Sequence, residues 1–301
     1  MKPRKSVPLV FYALAVVAGL SATHFTRPAR AQETTIAALA KDTHFHGLAV
    51  DANNASRLYL ATHHGLYVVN LDGTARRISR TTDDFMGFQV HPTNRSIMFA
   101  SGHPRRGGNL GFIKSTDGGR SWTKLSDGLG GPVDFHQMDV SKANPDVVYG
   151  VFRGLQVSKD GGRSWQPAAP APQGLIGLAA SSQHVDTIYA ATQTGLFRST
   201  DGGRKWGVAT LFKRPTTMVH VTRSGVVYAF VVGIGLIRAP EKFLQWQVVS
   251  DQFEDGYLLH FAAHPGDRLQ LFAVTISPRT RLPAVIASKD GGKTWARLGG
   301  R

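Results

Sequence analysis

Apolar residues in this 301-residue chain come in short runs, broken at regular intervals by glycine, aspartate, asparagine and proline. HGLAVD (46–51), RLYLAT (57–62), GLYVV (65–69) and TARRIS (74–79) follow one another with only two to five residues between them. Each run is short and rich in aliphatic, β-branched or aromatic residues, so the pattern predicts four strands joined by tight turns. Side chains alternate between faces along a strand. In THFHG (43–47), His44 and His46 therefore share one side while Phe45 takes the other.

The four-run order then recurs. Later first strands begin near FMGFQV, FHQMDV, LIGLAA, TMVHV and LLHFAA. Four segments match almost letter for letter: STDGGRSW (115–122), SKDGGRSW (158–165), STDGGRKW (199–206) and SKDGGKTW (288–295). Their aspartates, Asp117, Asp160, Asp201 and Asp290, are 43, 41 and 89 residues apart. The long gap holds a degraded copy, RAPEKFLQW (238–246), and VNLDGTARR (69–77) lies one period upstream. All five tryptophans (Trp122, Trp165, Trp206, Trp246, Trp295) fall in one slot of the repeat. A period in the forties with four strands per repeat predicts an all-β propeller of four-stranded antiparallel blades, six rather than seven.

The motif S-x-D-x-G-x-x-W is the Asp-box, and the chain resembles the BNR/Asp-box β-propellers. These include sialidases, sortilin-type domains, photosystem assembly factors and exported proteins called glycosyl hydrolases by similarity. The resemblance implies that Asp117, Trp122, Asp160, Trp165, Asp201, Trp206, Asp290 and Trp295 are structural. The Asp-Gly-Gly step permits a turn with positive φ, its backbone can be bonded by the aspartate and serine, and the tryptophan packs between blades. TTIAALA (34–40), which has no first-strand partner, is expected to close the ring as the outer strand of the last blade.

Composition sets the setting. MKPRKS is basic, VPLVFYALAVVAGLSA is an apolar stretch of signal length, and Ala29-Arg30-Ala31 fits a cleavage site. Residues 1–31 are therefore expected to be a signal peptide, and 32–301 a single domain exported to the periplasm or the extracellular space. No later segment is apolar enough to span a bilayer. Formal charge is +15, about +10 after the leader, which favours anionic partners. The bases form no recognised nucleic-acid motif, so nucleic acid is not expected. The chain has no cysteine, so its stability must come from a core, and a monomer is expected.

Family geometry places the Asp-boxes on one face, and the segments leading into first strands, with the loops joining second to third strands, on the other. Alignment then makes His44, Asp84 and Asp134 equivalent, as are His46, Met86 and His136, with Phe45, Phe85 and Phe135 between blades. His63, His64 and His103 join from the loops. Together His44, His46, His63, His64, Met86, His103 and His136 read as a site for copper or zinc, since imidazoles and thioethers suit such ions and an exported protein without cysteine must use them. His220 and His260 map to the same face, whereas His91, His184 and His264 map to the far end of the first strands.

An enzyme is the alternative. Sialidases of this fold use an arginine triad, a tyrosine–glutamate nucleophile pair and an aspartate acid/base, but the first-blade R-I-P signature is absent here. Asp84, Asp134, Asp251, Glu254, Asp255 and Tyr257 are the catalytic candidates for a glycoside hydrolase acting on an anionic or sugar substrate. Arg105, Arg106, Arg153, Arg279 and Arg281 are the anion-binding candidates. The leading reading is a non-catalytic propeller binding a metal ion at the channel mouth. A scaffold for protein partners is the third.

Overall fold

The computed structural model describes residues 33–253 and 256–300. The leader, Glu254 and Asp255 lie outside the described residues. Six antiparallel sheets follow one another along the chain. Blade 1 is built from Phe45–Val50, Arg57–Thr62, Gly65–Asn70 and Thr74–Arg77, in that order from the inside outward. Five further four-stranded blades repeat the order, with inner strands Asp84–Val90, Gln137–Val140, Leu175–Ala180, Thr216–Val221 and Tyr257–Ala263. The inner strand of blade 6 packs against that of blade 1, so the ring closes. The fold is the expected six-bladed propeller.

Six apolar clusters fill the six gaps between blades. A sheet of this kind must bury both faces, and stacking blades does so without leaving a free sheet face. Trp122, Trp165, Trp206, Trp246 and Trp295 each join one of five of these clusters. The sixth, between blades 6 and 1, has no tryptophan, because the first repeat carries none. A short helix, Ile36–Asp42, fills that gap instead, burying Ile36, Leu39 and Ala40 beside Phe272, Val274 and Val285.

This corrects the expectation for TTIAALA. Glu33–Thr35 adds a fifth strand to the outer edge of blade 1, not blade 6, and the chain then turns helical. Thr35 caps the helix, accepting from the Ala38 amide at 3.1 Å. Isoleucine, leucine and alanine at i, i+3 and i+4 put one apolar stripe on the ring seam. All four strands of blade 6 come from the C-terminal end of the chain, so helix packing closes the ring where a shared strand was expected.

In the S-x-D-x-G-x-x-W turns the serine and aspartate bond the turn backbone. In blade 3, Ser158 donates to Asp160 Oδ1 (2.8 Å) and accepts from the Gly162 amide (2.7 Å). Asp160 also accepts from the Arg163 and Ser164 amides and the Ser164 hydroxyl. Hydrogen bonds from Ser164 hold its carboxyl down at about 2. The second glycine needs both its positive φ and its bare Cα: a Cβ on Gly119 would lie 2.3 Å from Leu66 of the neighbouring blade.

Candidate metal centre at the channel mouth

The inner strand of blade 1 carries a bulge at His46. Phe45 pairs with Thr62 and Gly47 with Ala61, leaving His46 as the extra residue. Phe45, Phe85 and Phe135 are buried between blades, as the alignment requires. The polar residues on either side of them are left at the mouth of a central channel of about 880 Å³ that His46, His136, His220 and His260 help to line.

The histidines do not gather into one site. They form two groups, each bridging adjacent blades and each holding one aspartate: His46, His63 and Asp84 in one, His103, Asp134 and His136 in the other. In both, one ligand atom from each residue lies within 4.8 Å of the others. The construction is the same in both. The histidine at the end of the second strand of one blade (His63 just past it, His103 its last residue) meets the aspartate at the start of the next blade (Asp84, Asp134).

In the first group, His63 Nδ1 lies 2.6 Å from Asp84 Oδ2. His46 Nε2 lies 3.2–3.3 Å from the two His63 ring nitrogens and 3.8 Å from Asp84 Oδ1. Ligands 2.0–2.1 Å from a tetrahedral ion are separated by about 3.3 Å, so the His46–His63 spacing fits a shared ion. His44, exposed at the rim, has Nδ1 at 3.4 Å from His63 Nε2. Burial, and then the neighbouring His63, push the His46 imidazole down to about 3, so it is neutral and its lone pair is free. Asp84 Oδ1 is buried with no hydrogen-bond partner. A lone carboxylate oxygen of this kind is costly unless a cation answers it.

In the second group, Asp134 Oδ2 lies 2.7 Å from His136 Nε2 and 2.9 Å from His103 Nε2. Asp134 is buried, and its Oδ1 also has no partner. The hydrogen bond from His136 to Asp134 raises the His136 pKa, against the effect of burial. His103 Nδ1 is 2.9 Å from the Gly108 carbonyl, which can only accept, so Nδ1 carries the proton.

The other predicted ligands stand apart. His64 is exposed, its ring 6.5 Å from that of His63. Met86 is buried. The donor atoms of the two histidine–aspartate groups are nitrogen and oxygen. His220 lies farther down the channel wall than its expected place at the mouth, packed on Phe261. Burial pushes His220 down to about 3 and His260 to about 4. His91 and His264 are turn caps: their Nδ1 atoms accept from the amides of Thr93 and Asn94, and of Gly266.

The enzyme candidates are dispersed. Asp84 and Asp134 are engaged by histidines. Asp251, Tyr257 and Arg279 line a separate recess of about 500 Å³ between blades 5 and 6. Arg105 and Arg106 are exposed on a blade 2 turn, Arg153 on the corresponding turn of blade 3 and Arg281 on that of blade 6. Sequence reasoning found the histidine and aspartate slots, but it missed their division into two groups and the Gly108 carbonyl, which no residue-type signal marks.

No protein-family model matches the chain, and no curated protein matches it in sequence. Among solved structures, it is similar to a GH74 xyloglucanase from Xanthomonas campestris (18% identity, TM-score 0.55), covering 88% of this chain and 46% of that one. It is also similar to a GH74 enzyme from Niastella koreensis (15%, TM-score 0.57; 85% and 45% covered). A third is the extracellular domain of a putative one-component system from B. thetaiotaomicron (13%, TM-score 0.54; 85% and 33% covered). The chain spans less than half the length of each. At these identities the likeness establishes the β-propeller fold alone.

Proposed function

We propose that this is an exported propeller of the Asp-box type that binds a divalent transition ion, zinc or Cu(II), where blades 1 and 2 meet. His46, His63 and Asp84 are the ligands, with His44 at the rim within reach of a fourth position. The observation that carries the reading is the buried, unpartnered Oδ1 of Asp84 beside two converging imidazoles. Nitrogen and carboxylate donors suit Zn(II) and Cu(II) better than Cu(I). Calorimetric titration with Zn(II) and Cu(II) tests it: the wild type takes up metal, and H46A/H63A loses this site. Equal uptake by both proteins would refute it.

A glycoside hydrolase is the second reading, favoured by the recess that brings Asp251, Tyr257 and Arg279 together. It requires turnover of a sugar substrate that is lost in D251N or Y257F.

A further inference from the structure

We infer that the mouth holds a second ion, at the junction of blades 2 and 3, ligated by His103 Nε2, His136 Nε2 and Asp134. This rests on the reading of the first group as a metal site, but its geometry supports it separately.

The Gly108 carbonyl holds the proton of His103 on Nδ1. In the neutral ring the Nε2 lone pair therefore points at Asp134 Oδ2, 2.9 Å away, which is itself electron-rich. That approach is repulsive unless a proton or a metal cation lies between them. A backbone carbonyl accepting the proton of one ring nitrogen, which leaves the other nitrogen free for the ion, is how metal-binding histidines are commonly oriented. The same Oδ2 is 2.7 Å from His136 Nε2, so three donor atoms from two blades face one point.

A proton shared between ring and carboxylate is the competing explanation. It accounts for Oδ2 but leaves Oδ1 of Asp134 buried and unpartnered. An ion bound by the whole carboxylate satisfies both oxygens. The repeat adds a second argument. His63 with Asp84 and His103 with Asp134 occupy the same slots one blade apart, and both aspartates leave the same oxygen orphaned. Neither His103 nor His136 belongs to the first group, so two ions need share no imidazole.

The test is stoichiometry, by equilibrium dialysis of the full chain against Zn(II) with elemental analysis. The wild type should hold two zinc per chain, and H103A/H136A and H46A/H63A one each. D134N, which keeps the side-chain shape, should also hold one, guarding against loss through misfolding. Circular dichroism verifies that each variant is folded. One zinc in the wild type, kept by H103A/H136A and D134N, overturns the second site and leaves the first standing. One zinc lost in either double variant means a single shared ion and overturns it as well. No zinc at all removes both.

Discussion

In blades 1 to 3 the residue leading into the inner strand is His44, Asp84 or Asp134. In blades 4 to 6 the same slot holds Gly174, Pro215 or Tyr257, by the strand registers. The bulged position tells the same story: His46 in blade 1, but Ile176, Thr217 and Leu259 in blades 4, 5 and 6. At the loop slot, His63, His103 and Arg153 face Gln193, Val232 and Ile276. The four-stranded blade is repeated all the way round, while the histidine–aspartate groups among the described residues are confined to blades 1 to 3. The repeat therefore accounts for the fold and its turns. The departures from the repeat carry the site.

The largest expected effect is at the first group. H46A/H63A should weaken Zn(II) binding there by more than about 100-fold, since removing ligands costs at least as much as removing their supports. Q193A, in the corresponding loop slot of blade 4, should leave binding unchanged. A comparable loss from Q193A would break the distinction between the halves.

Next comes pH. His220 and His260 sit in the channel wall in blades 5 and 6, held neutral by burial with pKa values near 3 and 4. The unfolded chain takes up protons below about 6.5 and the folded chain does not, so stability is full above that pH and falls as pH drops towards 4. Each histidine contributes at most about 1.4 kcal/mol per pH unit. Urea unfolding of metal-free protein at pH 7 and pH 5 should show the lower midpoint at pH 5. H220Q should flatten the difference. An unchanged slope in H220Q would show that His220 titrates normally in the fold.

How much of this was legible beforehand varied with whether a feature was repeated. DGG followed by tryptophan, written four times at a near-constant period, was enough for six blades. The helix Ile36–Asp42 occurs once, and over five residues IAALA fits a strand as well as a helical turn. Its tertiary role, replacing the tryptophan the first repeat lacks, cannot be seen from the segment itself. The slots of His44, His46, Asp84, Asp134 and His136 were visible because they align. Their sorting was not, since each group joins a loop of one blade to the lead-in of the next, and that proximity exists only once the blades are stacked. His220 was assigned too near the mouth because the inner-strand register, with its bulge at Thr217, cannot be read from the alignment.

A smaller effect separates architecture from chemistry. D160A removes the acceptor for two amides and two hydroxyls in one Asp-box, and should lower stability by about 1 kcal/mol. Metal uptake should not change, because the Asp-box belongs to the repeated part of the fold. Smallest of all, R153H should add no ion, although it puts a histidine in the loop slot of blade 3. The carboxylate it would need in the next blade is Gly174, at φ +66° and with its Cβ position 3.1 Å from Gln193.

The most direct test is crystallographic. Crystals grown with zinc and measured on both sides of the zinc absorption edge should give anomalous peaks between His46, His63 and Asp84 and between His103, Asp134 and His136. The corresponding positions of blades 4 to 6 should be blank. Peaks spread round the whole mouth, or none at either histidine–aspartate group in a zinc-containing crystal, would contradict the account.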